Sequence, residues 1–130
     1  MEREIKFRGK SASGRWLYGS LLSMNSGLDI QINSNGRFTS VLANTVGQYT
    51  CLKDKNGVEI YEGDIIRQDF EEYTGTVGYV YFENGAFKIT NLYDNDGYNE
   101  LSAWAEHTVN RKQRIEVIGN IYDNPNLVEG

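Results

Sequence analysis

Apolar and polar residues alternate with a period of two in several short stretches of the chain. Residues 5–8 place Ile5 and Phe7 on one face and Lys6 and Arg8 on the other, which predicts a strand with a buried apolar face and a solvated cationic face. Alternation, or a high density of β-branched and aromatic residues, predicts further strands at residues 16–22, 28–32, 38–42, 76–82, 86–89 and 115–122.

Turn signals separate these strands. Asparagine and glycine tolerate positive φ, so Asn-Gly is the dipeptide that most favours a tight hairpin, and it occurs at residues 35–36, 56–57 and 84–85. The sequence also predicts that Gly63 and Asp64 turn the chain into a core strand and that the final strand is broken or bulged at Gly119. We therefore assign five residues to backbone turns: Asn56, Gly57, Gly63, Asp64 and Gly119.

Helical periodicity is scarce. The one helix that the pattern predicts covers residues 100–107, and residues 91–99 are rich in turn formers. We expect a mainly β, small antiparallel protein with little helix, forming a single domain over residues 1–130. Within it we expect an N-terminal β-rich lobe at about residues 1–56 and an SH3-like barrel at about residues 57–130, since that half supplies roughly five short strands.

The charge is acidic overall but unevenly distributed. The 130 residues carry a formal net charge of -5 with a pI near 4.9, which argues against a general affinity for nucleic acid or anionic lipid. Residues 1–20 nevertheless hold five cations against two acids, and residues 62–106 hold ten acids against two cations. The basic strand could lie along the acidic half of its own chain or meet a neighbour's, and both alternatives stay open.

Location is predicted from what the chain lacks. It has no apolar run long enough to span a bilayer, and residues 1–20 lack the apolar segment of a secretory signal. Cys51 is the only cysteine, which suits a reducing compartment. We expect a cytoplasmic protein that does not insert into membranes.

The sequence contains no pattern that predicts an enzyme. His107 is the only histidine, Cys51 has no activating neighbours, and the acids from Asp54 onward fail the EF-hand spacing because Val58 takes the fifth position and Glu59 the sixth. Phosphate-binding, hydrolase and zinc motifs are also missing. We therefore predict no catalytic residue, no cofactor and no metal, and carboxylates near Asp64 are the remaining enzymatic alternative.

Aromatic and cationic residues instead suggest an interaction surface. Tyr79 and Tyr81 share one face of their strand, and aromatic side chains are enriched at protein interfaces. Cations of the first strand could contact phosphate, although a solvated face is the ordinary interpretation of alternating charge. The residues of this predicted surface are Arg3, Lys6, Arg8, Lys10, Tyr79 and Tyr81.

Three motifs in order along the chain resemble those of one family. They are REIKFRGK at residues 3–10 with Trp16 and Tyr18-Gly19 after it, GQYTCLKDKNGVEIYEGDII at residues 47–66, and EVIGNIYDNP at residues 116–125. Together they are similar to the YopX family of bacteriophage and prophage proteins.

The resemblance implies a phage-encoded protein of the host cytoplasm, of unassigned biochemical role, with a C-terminal part similar to SH3-type barrels. It supplies no catalytic residue. Our leading hypothesis is a non-enzymatic accessory protein that self-associates and binds a host or phage protein, and the alternative is a nucleic-acid-binding small barrel that uses the basic N-terminal strand.

Overall fold

The computed structural model describes residues 3–69, 74–90 and 114–128 and is mainly β, with antiparallel sheets. The chain divides into two compact units, Met1–Cys51 and Leu52–Gly130, and the division falls before the turn at Asn56-Gly57. The mainly β antiparallel class is thus confirmed, whereas the SH3-like barrel stays a prediction. The helix predicted at residues 100–107 and the turn-rich segment 91–99 lie outside the described residues.

The first unit is built on a sheet with the strand order β4-β3-β2-β1-β5. Its strands are β1 (Phe7–Lys10), β2 (Trp16–Met24), β3 (Asp29–Ser34), β4 (Arg37–Ser40) and β5 (Gly47–Lys53), with 3-10 turns at Asn25–Gly27 and Ala43–Thr45. The β3-β4 hairpin is confirmed: Asn35 (φ 54°) and Gly36 (φ 85°) form a two-residue turn that Ser34 and Arg37 close.

The first unit buries few large side chains. Among its described residues, the buried hydrophobic side chains are those of Ile32, Val41 and Tyr49. A Cβ at Gly9 would lie 2.8 Å from Cγ2 of Val41, so the backbone of β1 packs directly on that valine. Buried polar residues share this interior: Arg8, Ser11, Thr45 and Thr50. The apolar contribution to the stability of this unit is consequently small.

The second unit contains a four-stranded antiparallel sheet with the order β10-β7-β8-β9. After β6 (Glu59–Tyr61) the strands are β7 (Asp64–Asp69), β8 (Thr74–Glu83), β9 (Ala86–Ile89) and β10 (Arg114–Asn120), and a 3-10 turn covers Pro125–Leu127. The Asn84-Gly85 hairpin is confirmed, with φ of 53° and 80° and Glu83 opposite Ala86. The predicted bulge is also present, because the β7-β10 register shifts between Val117 and Gly119.

A dense apolar core holds the second unit together. Its members come from five strands and are fully buried or nearly so: Ile60, Ile66, Val80, Ile89 and Ile115. Leu52, Phe87 and Val117 pack against them as partly buried residues. β-Branched residues dominate, as expected where side chains fill a pleated surface.

Candidate functional site

The first strand does not present its cations to solvent as the alternation predicted. Arg8 is only 5% exposed, whereas Ile5 is 63% exposed, and β1 begins at Phe7 rather than at residue 5. Cζ of Arg8 lies 4.7 Å from the centroid of the Trp16 ring, a cation–π contact with the residue at the start of β2. The expected solvated cationic face is therefore wrong at Arg8, because an aromatic ring from the neighbouring strand covers it.

The other cations of this strand also contact their own unit. Lys6 pairs with Glu4 at 3.5 Å and lies 5.2 Å from the Tyr49 ring centroid, and Nζ of Lys10 lies 5.9 Å from the centroid of Trp16. Arg3 is exposed. The basic strand thus directs most of its charge onto aromatic rings of the first unit.

Exposed apolar side chains are concentrated in the first unit. Of the ten large hydrophobic residues exposed in the described part of the chain, seven belong to Met1–Cys51: Ile5, Tyr18, Leu22, Met24, Leu28, Phe38 and Leu42. The second unit contributes Val58, Phe82 and Leu127. The first unit therefore buries fewer large apolar side chains than the second and exposes more of them.

Four of these residues share one side of the sheet. Tyr18, Leu22 and Met24 alternate along β2 and so lie on one face. Residues directly opposite each other on antiparallel strands share one side of the sheet. Ser20 is on the same side of β2 as Leu22 and is opposite Asn33, and Asn33 is opposite Phe38, so Phe38 lies on that side too. We call this surface the Leu22 face and define it by Tyr18, Leu22, Met24 and Phe38. The sequence pattern did not single it out, since alternation alone does not tell which side of a strand is covered.

The predicted tyrosine pair belongs to the second unit. Tyr79 and Tyr81 are both half-buried on one side of β8, with ring centroids 6.3 Å apart. On the other side of the strand, Val80 is in the core and Phe82 meets Phe87 edge to face at 5.1 Å. No cation–π contact to Tyr79 or Tyr81 is found among the described residues.

A buried carboxylate organises the turn at Asn56-Gly57. Oδ1 of Asp54 accepts hydrogen bonds from the backbone amides of Asn56 (2.8 Å) and Val58 (2.9 Å), and Oδ2 accepts one from the amide of Val117 (2.9 Å). Gly57 adopts φ of 80°, and its amide donates to the Asp54 carbonyl at 3.0 Å. The carboxylate therefore joins its own turn to β10.

The Gly63-Asp64 turn is closely packed. Asp64 is 2% exposed and accepts a hydrogen bond from the Tyr61 amide at 2.7 Å. Gly63 has φ of 89°, and a Cβ there would lie 2.8 Å from Cε2 of Tyr122. A Cβ at Gly119 would similarly lie 2.6 Å from Oδ1 of Asn124. Backbone conformation and close packing therefore account for Gly63, Asp64 and Gly119.

The candidate chemical groups are dispersed. Cys51 is exposed, has φ of 67°, and its thiol donates to the Glu4 carbonyl at 3.3 Å. His107 lies outside the described residues. Within residues 3–69, 74–90 and 114–128, no three His, Cys, Asp or Glu side chains come together as a metal site would require. No helix in that same part of the chain is long and apolar enough to cross a bilayer.

The fold defines a small β protein of two antiparallel units, one with a dense apolar core and one with an exposed apolar face. Comparison with family models gives a match to the YopX protein family over residues 6–129. The chain belongs to the YopX family. A search among curated proteins found no match. Among solved structures, the crystal structure of protein EF1440 from Enterococcus faecalis is similar, with a TM-score of 0.62 and 24% identity over 98% of this chain and 99% of that one. This likeness supports the fold.

Proposed function

We propose that the protein is a non-enzymatic, self-associating interaction module of phage or prophage origin that acts in the host cytoplasm. The observation that carries the proposal is the Leu22 face, where four large apolar side chains stay exposed on the unit that buries the fewest. Apolar side chains scattered singly are normal on a soluble surface, whereas four exposed on one side of one sheet are typical of an interaction site. A second copy of this chain is the occupant we propose.

The contacts of the first strand support this function over nucleic-acid binding. A phosphate-reading surface needs cations that point outward, whereas Arg8 is buried against Trp16 and Lys6 lies over Tyr49. The same contacts also favour an apolar interface over one in which the basic strand of one copy pairs with the acidic half of another. Because apolar contacts are not screened by salt, the oligomer should survive high ionic strength.

Native mass measured by light scattering after size exclusion, at low and high salt, tests the proposal. We expect a defined oligomer of the same mass in both. A matched pair of variants locates the interface, because Leu22 and Leu127 are both leucines and both 39% exposed. Leu22→Asp should yield a monomer, while Leu127→Asp should keep the wild-type mass. A wild-type monomer at both salt concentrations contradicts self-association, and equal effects of the two variants contradict the assigned face.

A further inference from the structure

A polar pocket lies at one end of the first sheet, where two hairpin turns meet. β2 begins at the end of the sheet where β3 finishes, so the turn between β1 and β2 and the turn between β3 and β4 are neighbours. The pocket between them has a volume of about 300 Å³. Its lining includes two guanidinium groups and four hydroxyl groups, from Arg15, Arg37, Ser11, Ser13, Ser34 and Thr39.

The charge of this pocket is opposite to that of the whole protein. The chain carries -5 overall, yet the lining contains two arginines and no aspartate or glutamate. Among the described residues, neither Arg15 nor Arg37 forms an ion pair, whereas Arg67 of the second unit is bonded to Glu116 at 3.0 Å. Arg15 and Arg37 are both exposed, so solvent screens their charge in the free protein, and with no carboxylate beside the cavity that charge is available to a bound anion.

The turn that precedes Arg15 is internally hydrogen-bonded. The Ser11 amide donates to the Arg15 carbonyl and the Gly14 amide donates to the Ser11 carbonyl, both at 2.9 Å. Oγ of Ser11 is 2.9 Å from Oγ of Ser13 and accepts a hydrogen bond from the Arg15 amide at 3.3 Å. Because this backbone is fixed before a ligand arrives, the conformational entropy lost on binding comes mainly from the exposed arginine side chains.

We propose that this pocket binds a small phosphomonoester. Guanidinium groups present planar, paired donors that match phosphate oxygens, and hydroxyl groups can donate further hydrogen bonds. The volume exceeds what a phosphate group alone would fill, and pockets of this size accept small organic ligands. Leu17 is the one apolar residue of the lining, and no aromatic ring is present to stack on a base. The organic part of the ligand is therefore polar, as in a sugar phosphate.

The pocket and the Leu22 face are on opposite sides of the sheet. Successive side chains of a strand point to opposite sides of the sheet. Phe38 of the Leu22 face lies between Arg37 and Thr39, so these two pocket residues are on the other side, as are Leu17 and Ser34. Occupancy of the pocket therefore does not obstruct the proposed self-association, and each proposal can fail without the other.

Titration of the ¹⁵N-labelled protein with glucose 6-phosphate, at constant ionic strength, tests the site by amide chemical shifts. We expect saturable shifts at Gly14, Asn35 and Gly36, and at least tenfold weaker binding for Arg15→Ala and for Arg37→Ala. Arg3→Ala is the matched control, since Arg3 is an exposed arginine of the same unit outside the pocket. Circular dichroism spectra and melting temperatures of all three variants show whether each is folded.

Four results with the variants and the small ligands would overturn the proposal. They are an absence of saturable shifts, equal weakening by Arg3→Ala and Arg37→Ala, binding of inorganic phosphate as tight as that of the sugar phosphate, and displacement by glucose. Stronger binding of a short single-stranded oligonucleotide than of glucose 6-phosphate would also overturn it, in favour of nucleic-acid recognition.

Discussion

Replacing Asp54 by asparagine tests how far the second unit depends on one buried carboxylate. Asp54 is 7% exposed and accepts three backbone hydrogen bonds, two from its own turn and one from Val117, which is 63 residues away along the chain. Asparagine has nearly the same shape but only one oxygen. If that oxygen keeps the bonds to Asn56 and Val58, the amide nitrogen is left facing the amide of Val117, donor against donor.

The expected cost follows from these contacts. A hydrogen bond to a charged acceptor contributes about 1.5–3 kcal/mol, and a part-buried donor left unsatisfied costs a similar amount. Asp54→Asn should therefore destabilise the second unit by about 2–4 kcal/mol. Asp54→Ala should cost about 1 kcal/mol more, because the amides of Asn56 and Val58 also lose their acceptor but can bind water in the exposed turn.

Native-state hydrogen exchange measures this cost in the unit concerned, since amides of β7 and β10 report its unfolding free energy. Asp29→Asn is the control that removes the same charge: the Asp29 carboxylate accepts from Nε2 of Gln31 at 3.1 Å and from Oγ of Ser40 at 3.0 Å, in the first unit. Its effect should stay within about 0.5 kcal/mol. If Asp54→Asn changes the exchange of β7 and β10 no more than Asp29→Asn does, the three-bond interpretation is refuted.

Three glycines allow comparable tests by thermal unfolding. Gly63→Ala should destabilise by about 2–3 kcal/mol, because left-handed backbone costs about 1–2 kcal/mol for a non-glycine residue and the new Cβ also meets the Tyr122 ring. Gly57→Ala, with φ of 80° but nothing within 4 Å, should show the backbone cost alone, and equal losses would mean that the ring contact is unimportant. Gly78→Ala should cost more than about 3 kcal/mol, since its Cβ would lie 1.7 Å from the Thr90 carbonyl oxygen; a stably folded variant would contradict that packing.

Local backbone chemistry made the hairpins predictable. Asn35-Gly36 and Asn84-Gly85 adopt positive φ, because the preference for that conformation is a property of the dipeptide and needs no distant partner. The bulge at Gly119 was predictable from a glycine inside a strand pattern, and the reason for the glycine is close packing, since a Cβ there would lie 2.6 Å from Oδ1 of Asn124. Strand assignment likewise followed from β-branched and aromatic composition.

What escaped prediction depends on residues that are distant in sequence. Burial of Arg8 requires Trp16 from the next strand, and the third hydrogen bond of Asp54 requires Val117 from the other end of its unit. The Arg15–Arg37 pocket exists only because two hairpin turns lie side by side at the same end of one sheet. Periodicity reports which residues share a face but carries no information about what will cover that face.

The strand order of the second unit has a consequence for synthesis on the ribosome. β7 lies between β8 and β10, so one of its two neighbours is synthesised only at residues 114–120, well after β7 itself. The first unit can form once residue 51 has emerged, but the core isoleucines of β6 and β7 lack Ile115 until that residue has been synthesised. The nascent protein must therefore hold a folded first unit and an unprotected apolar segment at the same time, and the pairing of β10 with β7 is the step that ends this exposure to aggregation.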